Sequence, residues 1–237
     1  MDYLKKEEGK NKEVRTVKNR PNVVIIVPSK ELVEQILTIC KKLIHFAKLR
    51  AGGLYNYHPF SREAKMLDDG VDIVVATIDR LERHRKNRNI FLSNVDYFVI
   101  DEADTFLDSG EKDALEEYVD IISKRNGKVI YVSATYTSAL SNFFDKVYGR
   151  ESNLLKKLIE KNTHMNLSNL EHEFIHVRDL DKQTPLLKIL KEYSTLMEST
   201  KGATMIFCNS ITSCQSLEYK LKSEGNPNKY LNFIKIV

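Results

Sequence analysis

Apolar residues in this chain gather in short unbroken runs separated by stretches of helical periodicity. Residues 23–27 (Val-Val-Ile-Ile-Val) run up to Pro28, and residues 71–76 (Val-Asp-Ile-Val-Val-Ala) run up to Thr77. Residues 95–100 (Val-Asp-Tyr-Phe-Val-Ile) end at Asp101, and residues 129–132 (Val-Ile-Tyr-Val) end at Ser133. Runs of this length, rich in β-branched and aromatic residues, suit strands of a parallel sheet buried on both faces. After the first run, Leu32, Val33, Ile36, Leu37, Ile39, Leu43, Ile44 and Ala47 recur at helical spacing, with Ser29 placed to cap that helix. Leu115, Tyr118, Val119 and Ile122 mark another helix. Four strand-then-helix units predict an α/β fold with a right-handed, doubly wound parallel sheet.

Beyond these units the pattern weakens. Residues 150–170 are polar, with Leu154, Leu155, Leu158 and Ile159 on one helical stripe, and read as a domain end and linker. A second unit is expected to open with a strand at residues 174–177 (Phe-Ile-His-Val). A helix over 185–197, a strand over 205–208 and a helix over 211–222 follow. The expected division is a charged, disordered tail (1–20), a first domain (21–150), a linker (151–170) and a partial second domain (171–237).

Composition narrows the function classes. The 237 residues are 42% hydrophobic, ample for a core. Net charge is +4, of which residues 1–20 supply +3, so any nucleic-acid surface must be a local patch. Cys40, Cys208 and Cys214 lack metal-like spacing and read as reduced thiols, as expected of an intracellular protein in the cytoplasm, nucleus or an organelle. There is no run of 18 apolar residues to span a membrane and no apolar signal-peptide core near residue 1.

The chemistry concentrates where the strand at 95–100 ends. Asp101, Glu102 and Asp104 put three carboxylates within four residues. A buried strand cannot hold them, so they belong at its C-terminal end, the edge where open α/β sheets bind ligands. Carboxylates there suit Mg²⁺ bridged to phosphates, or the activation of a water. An acidic helix start is the plainer alternative. Ser29 and Lys30 at a helix N-terminus make a phosphate site or an ordinary cap. Gly52-Gly53 permits a tight turn or a close backbone approach. Arg83, Arg85, Lys86 and Arg88 form either a cationic patch or a solvated face. His172-Glu173-Phe174-Ile175-His176 fits the zinc-protease spacing HExxH, but that chemistry needs a helix. On the strand expected here the two histidines would stand roughly 13 Å apart, too far to share one zinc.

Several of these segments together resemble the DEAD-box RNA helicases. Asp101-Glu102-Ala103-Asp104 resembles their signature, and Pro28-Ser29-Lys30-Glu31-Leu32-Val33-Glu34-Gln35 their PTRELAxQ segment. Gly52-Gly53 is similar to their GG pair and Ser133-Ala134-Thr135 to their SAT. Thr77-Ile78-Asp79-Arg80 stands where they have TPGR, without the Pro and Gly. Met205-Ile206-Phe207-Cys208-Asn209 resembles the strand opening their second domain. Order and spacing agree over residues 22–224.

The resemblance implies two RecA-like domains, both incomplete here, and ATP hydrolysis coupled to local RNA unwinding or ribonucleoprotein remodelling by a monomer. It implies that Asp101 holds Mg²⁺ through water and that Glu102 activates the attacking water. Asp104 would pair with Ser133 and the second domain, with Thr135 part of that coupling. Pro28, Ser29, Lys30, Gly52, Gly53, Thr77 and Arg80 would line the RNA backbone. No GxxxxGK followed by Ser or Thr occurs in the 237 residues, and the family's HRxGRxGR arginines are absent as well. Without the phosphate loop the chain alone is expected to bind ATP poorly, to expose an apolar sheet edge and not to unwind RNA. The runner-up is a non-catalytic, helicase-derived RNA-binding scaffold, and a distant third is an unrelated nucleotide-binding α/β enzyme.

Overall fold

In a computed structural model, residues 16–44, 46–150, 153–159, 170–177, 182–200, 204–224 and 234–236 are described. The chain divides into two compact units, residues 1–166 and 167–237. In the first unit the apolar runs become strands β1 (Val23–Ile26), β3 (Ile73–Ala76), β4 (Tyr97–Ile100) and β5 (Lys128–Tyr131), joined by β2 (Ala51–Leu54). The helices are α1 (Lys30–Ile44), α2 (Phe60–Asp68), α3 (Ile78–Lys86), α4 (Ala103–Asp108), α5 (Lys112–Ser123) and α6 (Ser138–Tyr148). The five strands are all parallel, in the order β2-β3-β1-β4-β5.

Side-chain alternation explains why the sheet is covered on both faces. Val24, Val74 and Phe98 stand in register and join a core with Leu67 of α2, Leu81 of α3, Ile122 of α5 and Phe143 of α6. One residue on, Val75 points the other way and packs with Val33 and Leu37 of α1. Each fully buried aliphatic side chain contributes about 1.5–3 kcal/mol. This is the doubly wound arrangement expected. Over β5 the cover thins, and Ile130 and Val132 are 42% and 47% exposed.

In the second unit, α7 (Gln183–Thr200), β6 (Thr204–Ile206), α8 (Ile211–Glu224) and β7 (Ile234–Ile236) form, and β6 pairs parallel with β7. The expected helices at 185–197 and 211–222 and the strand near 205 are thereby found.

Three expectations are corrected. Residues 16–20 are no free tail: Thr16 Oγ1 donates to Asp72 (2.9 Å), Asn19 N donates to Leu67 O (2.8 Å), and the Arg20 guanidinium lies 4.6 Å over Phe91. Residues 1–15 of that tail lie outside the described residues. Residues 153–159 form no helix; Leu155 packs on the core, while Leu154 and Leu158 are exposed. Residues 170–177 form neither strand nor helix. Of the two readings of Gly52-Gly53, the close approach is the one found, and the pair is the middle of β2. A Cβ on Gly52 would lie 2.3 Å from Met66 Sδ, and one on Gly53 would lie 2.6 Å from Leu37 Cδ1. Two helices therefore close onto the strand because it has no side chains there.

Candidate functional site

The strand ends line up along one edge. Beyond the sheet ladder, Thr77 N donates to Leu54 O (3.1 Å), Val27 N to Ala76 O (3.0 Å), Asp101 N to Ile26 O (3.1 Å) and Val132 N to Ile100 O (2.8 Å). These bonds bring the segments after all five strands side by side. Pro28, Ser29, Thr77, Asp101, Glu102 and Ser133 follow the strand ends on this edge, and Gly52 and Gly53 lie just inside it in β2.

The acids turn sharply there. Glu102 adopts a left-handed conformation (φ 53°, ψ 49°) as the residue before α4. A bulky non-glycine side chain rarely holds this conformation, and such strain gathers at functional sites. Ala103, 1% exposed, is pinned by its N–H to Val132 O (3.0 Å), which ties the turn to the end of β5. Asp101 Oδ1 accepts from Glu102 N (3.0 Å). Among the described residues, Asp101 Oδ2 and both Glu102 carboxylate oxygens take no partner.

Asp104 behaves differently. Thr135 Oγ1 donates to Asp104 Oδ2, and Thr105 N donates to Asp104 Oδ1 (3.1 Å). Partial burial pushes the Asp104 carboxyl up, but the Thr135 hydroxyl, the nearby Ser133 hydroxyl and the Thr105 N–H together outweigh it and hold the group below its ordinary range. The expected partner was Ser133; the principal one is Thr135, because the Ser133 hydroxyl turns to donate to Thr135 O (2.8 Å).

The expected RNA-facing residues divide. Pro28 and Ser29 are half-buried and Lys30 is exposed, at the start of α1. Ser29 Oγ accepts from Leu32 N (3.3 Å), an N-cap, and Lys30 Nζ lies 3.7 Å from Glu31. The Thr77 hydroxyl oxygen is buried without a partner among the described residues. Arg80 is the correction: it is 5% exposed, not on the open edge. Its Nε donates to Glu63 Oε2 (2.7 Å), and its terminal nitrogens donate to Asn56 Oδ1 (3.1 Å) and His58 O (3.0 Å). A guanidinium so engaged serves its own loop. Gly52 and Gly53 likewise face packed side chains.

Sequence reasoning missed the rest of that network. Glu63 (2% exposed) accepts from Tyr55 N (3.0 Å) and lies 2.8 Å from His84 Nε2, whose ring (0% exposed) stacks on Phe60 at 4.0 Å. Asp79 accepts from Asn56 Nδ2 (3.2 Å). The basic run is mostly used internally. Arg85 binds Glu82 through two nitrogens (2.9 and 3.1 Å) and Glu117 (2.6 Å), and Arg83 lies 4.7 Å over Phe60. Arg80 and His84 share one face of α3 at i, i+4, which was the available signal.

The free oxygens of Asp101 and Glu102 fit a Mg²⁺ that keeps most of its waters and is completed by phosphates. No group of three or more metal-ligating side chains occurs among the described residues, so no all-protein cage is offered. His172 and His176 lie in a non-helical stretch, which removes the geometry that HExxH needs. No helix among the described residues is long and apolar enough to cross a membrane.

Comparison with known proteins agrees with this edge. The model of the DEAD/DEAH box helicase family matches residues 10–143, more than half of the chain. DEAD-box ATP-dependent RNA helicase 39 of Arabidopsis thaliana is 27% identical over 226 residues, covering 92% of this chain and 35% of its own length. ATP-dependent RNA helicase HAS1 of Candida albicans is 29% identical over 202 residues, covering 85% of this chain and 34% of its own. The chain thus spans about a third of the length of these curated relatives. Among solved structures, Saccharomyces cerevisiae Dbp5 bound to RNA and ADP BeF3 superposes with a TM-score of 0.65 at 23% identity, over 90% of this chain and 51% of that one. It shares the RecA-like fold. On the family match, and with the acid turn and the hydroxyl segment after β5 meeting at one sheet edge, this chain belongs to the DEAD/DEAH box helicase family.

Proposed function

We propose that these residues supply the acidic and RNA-facing part of an ATP-dependent RNA helicase that couples ATP hydrolysis to local strand separation or ribonucleoprotein remodelling. One observation carries the reading: Asp104 is committed to Thr135, while Asp101 Oδ2 and the Glu102 carboxylate have no partner among the described residues. Two acids are thereby left for a substrate.

In this reading Asp101 would hold a Mg²⁺ through water, and the ion, when bound, would supply charge to offset that of the phosphates. Glu102, held in its strained turn, takes the proton of the attacking water. Thr135 holds Asp104 and the Ser133 hydroxyl braces Thr135 through its carbonyl, so that a movement of the segment after β5 is felt at the acid turn. Ser29, Lys30 and Thr77, with Pro28 shaping the turn, meet the RNA backbone. Gly52, Gly53 and Arg80 act behind them as supports. The polypeptide works inside the cell, in the cytoplasm, nucleus or an organelle, as a monomer that can meet ribonucleoprotein partners.

The 237 residues carry no phosphate loop, so by themselves they turn ATP over poorly. The test is RNA-stimulated ATP hydrolysis by the native polypeptide carrying residues 30–150, immunopurified from cells, beside the 237-residue chain. Stimulated turnover by the first and little by the second is expected. A native polypeptide that binds RNA and hydrolyses no ATP would replace this reading with the RNA scaffold.

A further inference from the structure

After β2 the chain passes through residues 55–59 before α2. Tyr57 stands out there, 69% exposed. Its ring lies parallel to that of Tyr55 (6.3 Å between centroids, 7° between planes) and edge-on to His58 (5.2 Å, 71°). The ring adds little burial to the fold, yet the loop beneath it is heavily braced. Tyr57 N donates to Tyr55 O (2.7 Å) and Tyr55 N to Glu63 (3.0 Å). Asn56 is held by both Arg80 and Asp79, and His58 O by Arg80. A buried ion pair therefore fixes a loop whose outward product is one large, exposed aromatic surface.

The position of the loop says what that surface meets. Thr77 N donates to Leu54 O, so the loop rises beside Thr77 on the C-terminal edge, next to the start of α1. The Tyr55 hydroxyl lies 3.5 Å from His58 Nε2 and the residue packs with Val33 and Leu37 of α1, where burial first and then the Glu34 carboxylate raise its pKa. Glu63, Arg80 and Asp79, which brace the loop, are engaged with it and with one another, while Tyr57 turns a π-face outward and Arg62 stays exposed beside it. Beside a phosphate-binding edge, the complementary flat partner is a nucleobase.

We propose that Tyr57 is a stacking platform for a base of the single RNA strand that runs along this edge, adding affinity at one nucleotide without reading its sequence. The inference rests on the RNA-binding reading above, and its test separates the two. The 237-residue chain is mixed with a short single-stranded RNA carrying 5-bromouridine and irradiated, and the adducts are mapped by mass spectrometry. Binding is measured for Tyr57→Ala, Tyr57→Phe and Lys30→Glu.

An adduct on Tyr57 is expected. Tyr57→Ala should weaken binding roughly five- to a hundredfold while Tyr57→Phe stays within about twofold. Because the side chain is exposed, both variants should melt like the wild type. Wild-type binding by Tyr57→Ala, with Lys30→Glu impaired and adducts elsewhere, would remove the platform and leave the RNA face standing. The same result with loss of a co-purifying protein would assign the ring to that partner instead. A wild-type chain that binds no RNA would overturn both.

Discussion

Two carboxylate sites within one domain stand in opposite surroundings. Glu63 is 2% exposed, and its oxygens are taken by Tyr55 N, Arg80 and His84. Asp101 and Glu102 are half-buried on the rim of the same sheet edge, with three oxygens unclaimed among the described residues. The residue types are the same and the surroundings decide the role. In the interior, an acid must be neutralised or it unfolds its neighbours. On the rim it can stay unpaired, hydrated and open to a substrate. Arg80 makes the point from the other side: its motif position suggests a phosphate ligand, and its burial makes it a brace.

The contrast can be broken most severely at Glu63. Glu63→Ala leaves Arg80 and His84 buried beside no counter-charge, and about 3–5 kcal/mol of stability should be lost. Urea denaturation measures it; a loss under about 1 kcal/mol would mean that the network is no brace. Glu63→Gln, which can still accept from Tyr55 N, should lose less.

Glu82 gives the next effect, through pH. The hydrogen bonds from Arg85 come first, then burial opposes them, and the Tyr118 hydroxyl adds to the lowering, leaving the carboxyl at about 2 against an ordinary 4.5. A folded pKa below the unfolded one means that the stabilisation is present above about 4.5 and is lost as the pH falls toward about 2. Its size is about 2–3 kcal/mol at most, less whatever solvent screens at a side chain one-quarter exposed. The difference in stability between wild type and Glu82→Gln should shrink between about pH 6 and about pH 3. A constant difference would show the pair to be energetically idle.

The smallest change in stability should follow Thr135→Ala. Its hydroxyl meets Asp104 in an exposed setting, so only about 1 kcal/mol is at stake. The sharper readout is coupling. RNA stimulation of ATP turnover in the native polypeptide should fall well beyond what the stability loss explains, and unchanged stimulation would make the contact incidental.

Much of this was legible in the sequence because it is local. The runs before Pro28, Thr77, Asp101 and Ser133 became strands, and the acids fell at the strand end because a buried strand cannot hold them. β2 was illegible: Ala51–Leu54 has two glycines and no apolar run, and forms because Met66 and Leu37 fill the space above it. The Glu63 network was illegible for a different reason. Glu63 and Arg80 stand on separate helices, and each alone looks like an ordinary surface charge. The strand expected at 174–177 had apolar residues but no neighbour among the described strands. Pairing, which a sequence window does not contain, decides such segments.

The most direct measurement is made on Glu102→Gln in the native polypeptide, reading RNA-stimulated ATP turnover and thermal unfolding on the same preparation. Turnover should fall by roughly a hundredfold or more, the contribution of a general base. The unfolding temperature should not drop, since the carboxylate has no partner to lose among the described residues. Unchanged turnover would contradict the catalytic role of the acid turn, and a clear loss of stability would show Glu102 to be part of the scaffold after all.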